Sequence, residues 1–293
     1  MESVSIILPC FNEEASLHLL LPKIQTVCPH AEIIVVNDCS TDRSRSICDQ
    51  LSTRVISHPY RMGNGAAIKT GARHANGDVI IFMDADGQHN PNDIPLLLKG
   101  LDNGFEMVVG ARTLNTHASF LRGLANRTYN AFASYMVGRK ILDLTSGFRV
   151  VRARHFRKFL YLLPNGFSYP TTITMAFFRA GFPISYIPIN AEKREGKSKI
   201  NPLRDGSRFF LIILKIGALF SPMRLFLPIS AVLFSSGLSL YTYSFITQGR
   251  FTNMSVLLFM SALFTFLIGI LSEQVSSLHY RGIEEDFRRT DRE

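Results

Sequence analysis

The sequence predicts an α/β protein with a mainly parallel sheet domain, then a helix lying in a membrane interface, then a two-helix transmembrane hairpin. Three observations predict it. Short β-branched runs alternate with helical segments from Ser3 to Val109, the pattern of parallel strands joined by right-handed crossovers. Charged side chains stand just past the ends of successive runs. The last third holds two stretches free of Asp, Glu, Lys and Arg, each about the 20 residues that a bilayer requires.

In chain order, Ser3 to Leu8 is a strand ended by Pro9, and the acidic turn Asn12-Glu13-Glu14 starts a helix from about Ala15 to Val27. Glu32 to Val36 is the second strand, and Ser40 to Ser52 a helix with Ser40 or Thr41 as its N-cap. Val55 to Ser57 is a brief third strand, and the loop Tyr60 to Gly65 leads into a helix over Ala66 to Ala75. Val79 to Met83 is the central strand, buried on both faces by its continuous apolar character. A helix from Ile94 to Leu101 and a strand from Glu106 to Val109 follow. Beyond these, Thr116 to Val137 is helical and basic, Ser168 to Ala180 is a further helix and Ile184 to Ile189 a further strand.

The central strand carries the most informative stretch, VIIFMDADGQHNPN. Asp84, Asp86 and Gln88 present three oxygen-bearing side chains at one strand end. Hard divalent cations take oxygen ligands from one or two carboxylates, with substrate phosphates completing the shell, and open α/β sheets bind ligands outside the carboxyl ends of their strands. The expectation is a metal site that holds a diphosphate. A DxD alone is also ordinary turn and helix-cap chemistry, and an EF-hand does not fit the spacing of Gly87 and Gln88. Company decides between turn and site: Glu13, Asp38 and Arg112 follow the first, second and fifth strands, so all these groups share one sheet edge. Two commoner nucleotide motifs fail. Gly63-Asn64-Gly65 has Ile68 where a dinucleotide fingerprint needs glycine, and Lys69-Thr70 lacks the glycine that precedes a P-loop lysine. These glycines are expected in a loop that approaches substrate, or in a plain loop.

At 293 residues the chain holds one large domain or two small ones. Lys and Arg number 32 against 23 Asp and Glu, a net charge of +9, which suits nucleic acid, phosphate substrates or anionic lipid. A positive mean hydropathy of +0.13 favours lipid, because the apolar residues crowd into the last third, and no nucleic-acid partner is expected. Cys10, Cys28, Cys39 and Cys48 form no CxxC pair and read as reduced thiols of a cytosolic domain. The opening MESVSIILPCFNEE lacks a basic n-region and reads as a strand, not a signal peptide.

The expected division is a catalytic domain over 1–200, an interfacial helix over 201–222, a hairpin over 225–272 and a tail over 273–293. RFFLIILKIGALF is too short to span and carries Lys215, which suits an interface. Residues 225–247 and 251–272 are the two spans, joined by Gln248-Gly249-Arg250. So tight a loop puts both flanks on one side, and the lysines and arginines there outnumber the lone Arg250, making that side cytoplasmic. A buried core hairpin is the competing reading.

LPCFNEE, VVNDCSTDRS, GNGAAIKTGARHANGDVIIFMDADGQHNPNDI, VVGAR, DLTSGFRV and REGKSK, in that order and followed by a hairpin, resemble the polyprenyl-phosphate glycosyltransferases of glycosyltransferase family 2, the dolichyl-phosphate mannose synthase-like enzymes. The resemblance covers about residues 3 to 200 in motif detail. It implies a GT-A fold, a UDP- or GDP-sugar donor, Mg²⁺ or Mn²⁺, and inverting hexosyl transfer to undecaprenyl or dolichyl phosphate on the cytoplasmic face of the inner membrane, with homo-oligomers as a further partner class. It further implies that Pro9, Phe11, Glu13, Asp38, Lys69 and Asp84 contact the nucleotide sugar, and that Asp84, Asp86 and Gln88 hold metal and diphosphate. Asp86, Arg112, Arg122 and Arg194 are then the catalytic set. Arg112, Arg122, Arg194 and Lys199 meet the acceptor phosphate, with Arg127 a rival of Arg122. One departure is Asn37, where the family often has Asp, so the base preference is open. Competing functions are a glycosyltransferase with another lipid or glycan acceptor, a scaffold with a vestigial donor site, a processive synthase, disfavoured because the chain has no Trp for a QxxRW motif, and a sugar nucleotidyltransferase, which needs no anchor.

Overall fold

The computed structural model describes residues 2–112, 120–166, 169–190, 214 and 217–290, with the backbone alone for 120–126 and 279–290. It falls into two units, one of residues 1–131 and 140–199 and the other of 132–139 and 200–293.

The first unit is built on a seven-stranded sheet in the order β3-β2-β1-β4-β6-β5-β7. Its strands are β1 (Val4–Cys10), β2 (Glu32–Asn37), β3 (Arg54–Ser57), β4 (Val79–Phe82), β5 (Met107–Arg112), β6 (Arg149–Arg152) and β7 (Ile184–Ile189). The helices are α1 (Glu14–Val27), α2 (Ser44–Gln50), α3 (Asn64–His74), α4 (Ile94–Asp102), α5 (Phe120–Val137), α6 (Ala153–Lys158) and α7 (Tyr169–Arg179). Period-two alternation divides the central strands between two faces. Ile6, Leu8, Ile81 and Met83 pack with Leu17, Leu21 and Ile24 of α1 and Leu97 and Leu101 of α4. On the other face Ile7 lies so close to Gly71 of α3 that any Cβ there would collide with it, and Phe82 meets the Phe156 ring at 4.6 Å. Burial of each such side chain contributes about 1.5–3 kcal/mol, so packing on the strands, more than helix propensity, sets which segments are helical.

One strand departs from the expected parallel pattern. β6 runs antiparallel to both β4 and β5, whereas β1 pairs in parallel with β2 and β4, and β5 with β7. One helix starts later than the sequence suggests. α2 begins at Ser44 because residues 40–44 form a turn against 12–14: Ser40 Oγ accepts from Asn12 N, Asp42 Oδ2 from Glu14 N, and Ser44 Oγ from Glu13 N. α5 is described from Phe120, and its expected start at Thr116 lies outside the described residues.

The second unit contains α8 (Pro222–Gln248) and α9 (Asn253–Thr290), an antiparallel pair turned at Gly249, whose φ of 61° and N–H bond to Phe245 O end α8. Both are long and apolar enough to cross a membrane, and only 11% and 17% of their most apolar windows are buried. That exposure removes the soluble-core alternative, since Ile246, Val232 and Leu271 point outward at 76%, 66% and 66% exposure. Between the helices, Gly237 faces Leu258 and Phe259, and Ser230 Oγ donates to Ala262 O at 2.8 Å, the small-residue contact and internal hydrogen bonding that helix pairs use in lipid. The candidate spans, Pro222–Gln248 and Asn253–Leu278, differ from the expected 225–247 and 251–272 at their ends, the second starting two residues later. α9 continues to Thr290, so the residues expected as a separate tail prolong the helix. Of the expected interfacial helix, 201–213 and 215–216 lie outside the described residues, and Gly217 to Phe220 are helical. The end of α5 belongs to this unit, where Arg224 Nη1 donates to Tyr135 O at 2.6 Å and Tyr135 Oη donates to Arg224 O at 3.1 Å.

Candidate active site

The carboxyl ends of β1, β2, β4 and β5 share one edge of the sheet, and the reversed direction of β6 puts its N-terminal approach, Asp143 to Phe148, on that same edge. Asp38 follows β2 directly, Asp84 stands two residues past β4, and Arg112 is the last residue of β5. Sequence reading placed these groups on one edge by spacing alone. Charge and hydrogen-bond contacts tie them together.

Asp84 is half-buried, its side chain 33% exposed. His89 Nε2 stands 3.7 Å from its Oδ2, and the Cα of Gly147 abuts it so closely that a Cβ there would lie 2.5 Å from the same oxygen. Burial raises its pKa, but His89, a hydrogen bond with Asn64 and the Arg112 charge outweigh this and hold the carboxyl below its usual range. Asp86 and Gln88 are half-buried, and Asp86 Oδ1 accepts from Gln88 N at 3.2 Å, so the turn chemistry of the motif is present as well. Among the described residues no cluster of three or more His, Cys, Asp or Glu could cage a metal. Two carboxylates and one amide are what fits a cation that arrives on a diphosphate and takes most of its ligands from phosphate and water.

Asp38 is 4% exposed, and its oxygens accept from Met62 N and Gly63 N, each at 2.8 Å, and from His58 Nδ1 at 2.8 Å. His58 then takes the Thr70 hydroxyl on Nε2 at 2.9 Å. Burial raises the Asp38 pKa, and the His58 and amide bonds overcome it and lower the value. In this structure Asp38 holds the loop over 58–63. Arg61 there lies over the Phe11 ring, 4.0 Å from its centroid. Pro9 sits in β1 opposite Val36, and Glu13 begins α1, where the next turn is fixed to the central motif by Ser16 Oγ donating to Ala85 O at 2.7 Å.

The Lys69 ammonium donates to Leu163 O at 3.0 Å and to Asn165 Oδ1 at 2.5 Å. The physical reason lies in the preceding glycines: Gly65 N donates to Gly166 O and Ala66 N to Asn165 O, and a Cβ on Gly63 would stand 2.6 Å from Asn165 O. Gly63 and Gly65 therefore admit the backbone of residues 164–166.

Arg112 makes a bidentate pair with Asp143, Nε to Oδ2 at 2.8 Å and Nη2 to Oδ1 at 3.0 Å, and Nη2 also donates to Thr145 Oγ1. Burial raises the Asp143 pKa, yet the guanidinium lowers it overall. Among the described residues no acceptor meets Arg112 Nη1, which leaves that arm for a ligand. Arg149, fully buried, donates to Ser146 O, Leu144 O, Pro170 O and Thr174 Oγ1 and so holds the loop 144–147 under Asp84. Each buried carbonyl left without its donor costs about 1–3 kcal/mol. Arg149→Met is therefore expected to lower the apparent Tm in detergent by roughly 5 °C or more, measured by thermal unfolding.

Of the remaining expected residues, Arg127 is exposed on α5. The Arg122 side chain, Arg194 and Lys199 lie outside the described residues. Sequence reasoning missed Asp143, His58, His89 and Arg61. The only available signal was the DLTSGFRV motif, since a lone histidine or loop arginine carries none.

Residues 5–160, more than half of the chain, match the model of glycosyl transferase family 2. The chain belongs to that family. It is a glycosyltransferase, and its residues 221–278 match the family described as the GtrB C-terminal hairpin, which makes it a membrane protein of this family. It is 28% identical over 300 residues to an undecaprenyl-phosphate 4-deoxy-4-formamido-L-arabinose transferase of Photorhabdus laumondii, covering 95% of this chain and 90% of the relative. It is 27% identical over 212 residues to a polyprenol monophosphomannose synthase of Mycolicibacterium smegmatis, covering 67% and 80%. Glucosyl-3-phosphoglycerate synthase of Mycobacterium tuberculosis, crystallised with Mn²⁺ and UDP-glucose, shares the fold of the family 2 domain with a TM-score of 0.60 at 22% identity, covering 73% of this chain and 78% of that one.

Proposed function

We propose that this glycosyltransferase moves a sugar from a UDP- or GDP-sugar to the phosphate of a membrane polyprenyl phosphate, inverting the anomeric carbon. The observation that carries this reading is the edge where Asp84, Asp86 and Gln88 stand beside Arg112, on a chain that continues into a membrane hairpin. The names of the relatives agree, since they transfer to undecaprenyl phosphate or make a polyprenol monophosphomannose.

Asp84, Asp86 and Gln88 would hold Mg²⁺ or Mn²⁺ on the donor diphosphate, and the bound cation supplies charge stabilisation for the departing nucleotide. The loop over 58–63, set by Asp38 and His58, with Phe11 and Arg61, would form the nucleoside wall. A phosphate monoester with a second pKa of about 6 is already nucleophilic at neutral pH, so no side chain need remove a proton. One of its oxygens bonds to the anomeric carbon as the bond to the diphosphate oxygen breaks, and the nucleoside diphosphate leaves with that electron pair. Arg112 Nη1, Arg194, Lys199 and one of Arg122 and Arg127 would orient the incoming phosphate. Positive flanks of the hairpin support a cytoplasmic position for the domain, at the inner membrane.

Purified protein in detergent, given UDP- and GDP-sugars, Mn²⁺ and undecaprenyl phosphate, is expected to yield a glycosylated lipid phosphate by mass spectrometry. Stabilisation by UDP or GDP with Mn²⁺, without lipid product from any donor, would instead support the scaffold reading.

A further inference from the structure

His89 is 5% exposed, its ring lies against Phe148 with centroids 5.1 Å apart, and its Nε2 stands 3.7 Å from Asp84 Oδ2. Its other nitrogen, Nδ1, is buried and has no hydrogen-bond partner. A histidine kept only for packing would gain nothing from two ring nitrogens in such a place, because a buried unpaired polar atom costs about 1–3 kcal/mol, and a phenylalanine would fill the same space. The other nitrogen, Nε2, faces Asp84, the first acid of the DxD motif. Gly147 packs against the same carboxylate oxygen, so closely that a Cβ there would lie 2.5 Å from it.

We propose that His89 is the positioning residue of Asp84: the Phe148 face fixes the ring plane, and Nε2–H orients the carboxylate toward the cation and diphosphate. The inference rests on the donor-site reading above. Groups that orient a metal-binding carboxylate typically change metal affinity by 10–100-fold when removed. Only Nε2 is assigned this task, so the replacements separate it from packing. His89→Gln sets an amide NH₂ near the place of Nε2, His89→Asn near the place of Nδ1, and His89→Phe keeps the ring without either nitrogen.

The experiment measures the Mn²⁺ concentration that half-saturates thermal stabilisation by UDP or GDP, whichever stabilises the wild-type full chain in detergent, alongside KM and kcat for the donor. His89→Phe and His89→Asn are expected to need at least about tenfold more Mn²⁺, with donor KM rising in step, while His89→Gln stays within about threefold of wild type. A packing role orders the variants the other way, with Phe best tolerated and Gln worst, and that order overturns the proposal. So does wild-type behaviour in all three. If His89→Phe does not fold, Gln against Asn still decides it. Wild-type protein that shows no stabilisation by either nucleotide with Mn²⁺ refutes the donor site itself, a failure separate from that of His89.

Discussion

Asp86→Asn is expected to lose sugar transfer by about a thousand-fold, nearly as much as Asp86→Ala. A metal ion contributes several kcal/mol of transition-state charge stabilisation, and each 1.4 kcal/mol is a factor of ten in rate. The asparagine variant is the informative one because Asp86 has two candidate roles. Its Oδ1 accepts from Gln88 N in a turn, and an amide oxygen can do the same, so the turn survives while the charge is lost. Activity within threefold of wild type in Asp86→Asn, measured as kcat/KM with saturating Mn²⁺, would assign the residue to the turn alone. Removal of the cation with EDTA is expected to silence the wild type equally, and Mn²⁺ should restore it.

Gly147→Ala is expected to lower kcat/KM by about a hundred-fold with little change in Tm. The added methyl would lie 2.5 Å from Asp84 Oδ2 and 3.1 Å from its Cγ, so either the acid or the loop must give. Arg149 holds the loop through the carbonyls of Leu144 and Ser146, and Asp143 takes the amides of Thr145 and Ser146. The carboxylate is the softer partner, and a displacement near 1 Å at a reacting centre costs on the order of a hundred-fold. Unchanged kinetics in this variant would show that Asp84 has latitude that the crowding around it denies.

The sheet was legible wherever a strand read as an unbroken apolar run with an acid or arginine just past its end. β7 appears over the residues expected, and Asp84 and Arg112 stand where spacing placed them. What the sequence hid is non-local. β6 is a four-residue strand inside a motif, and an alternating α/β pattern gives no sign that one strand runs backwards. With it went the partnership of Arg112 and Asp143, separated by 31 positions. Lys69 was expected at the nucleotide sugar, and no local pattern announced the loop that takes its ammonium, which lies 94 residues and more away. Asp38 was correctly found at a strand end, but no spacing rule shows that neighbouring amides already occupy it. The hairpin was readable throughout in composition, and only its ends moved, because α9 stays helical once its apolar stretch is over.

Gly63 and Asn64 are neighbours in the chain, yet the amide of the first is bound by Asp38 while the side chain of the second helps hold the Asp84 pKa down. One peptide unit thus connects the wall that would face the base to the floor that would face the pyrophosphate. On the proposed reading, strain at either acid would pass to the other through that link, and a fragment of the donor would engage only half of the cradle.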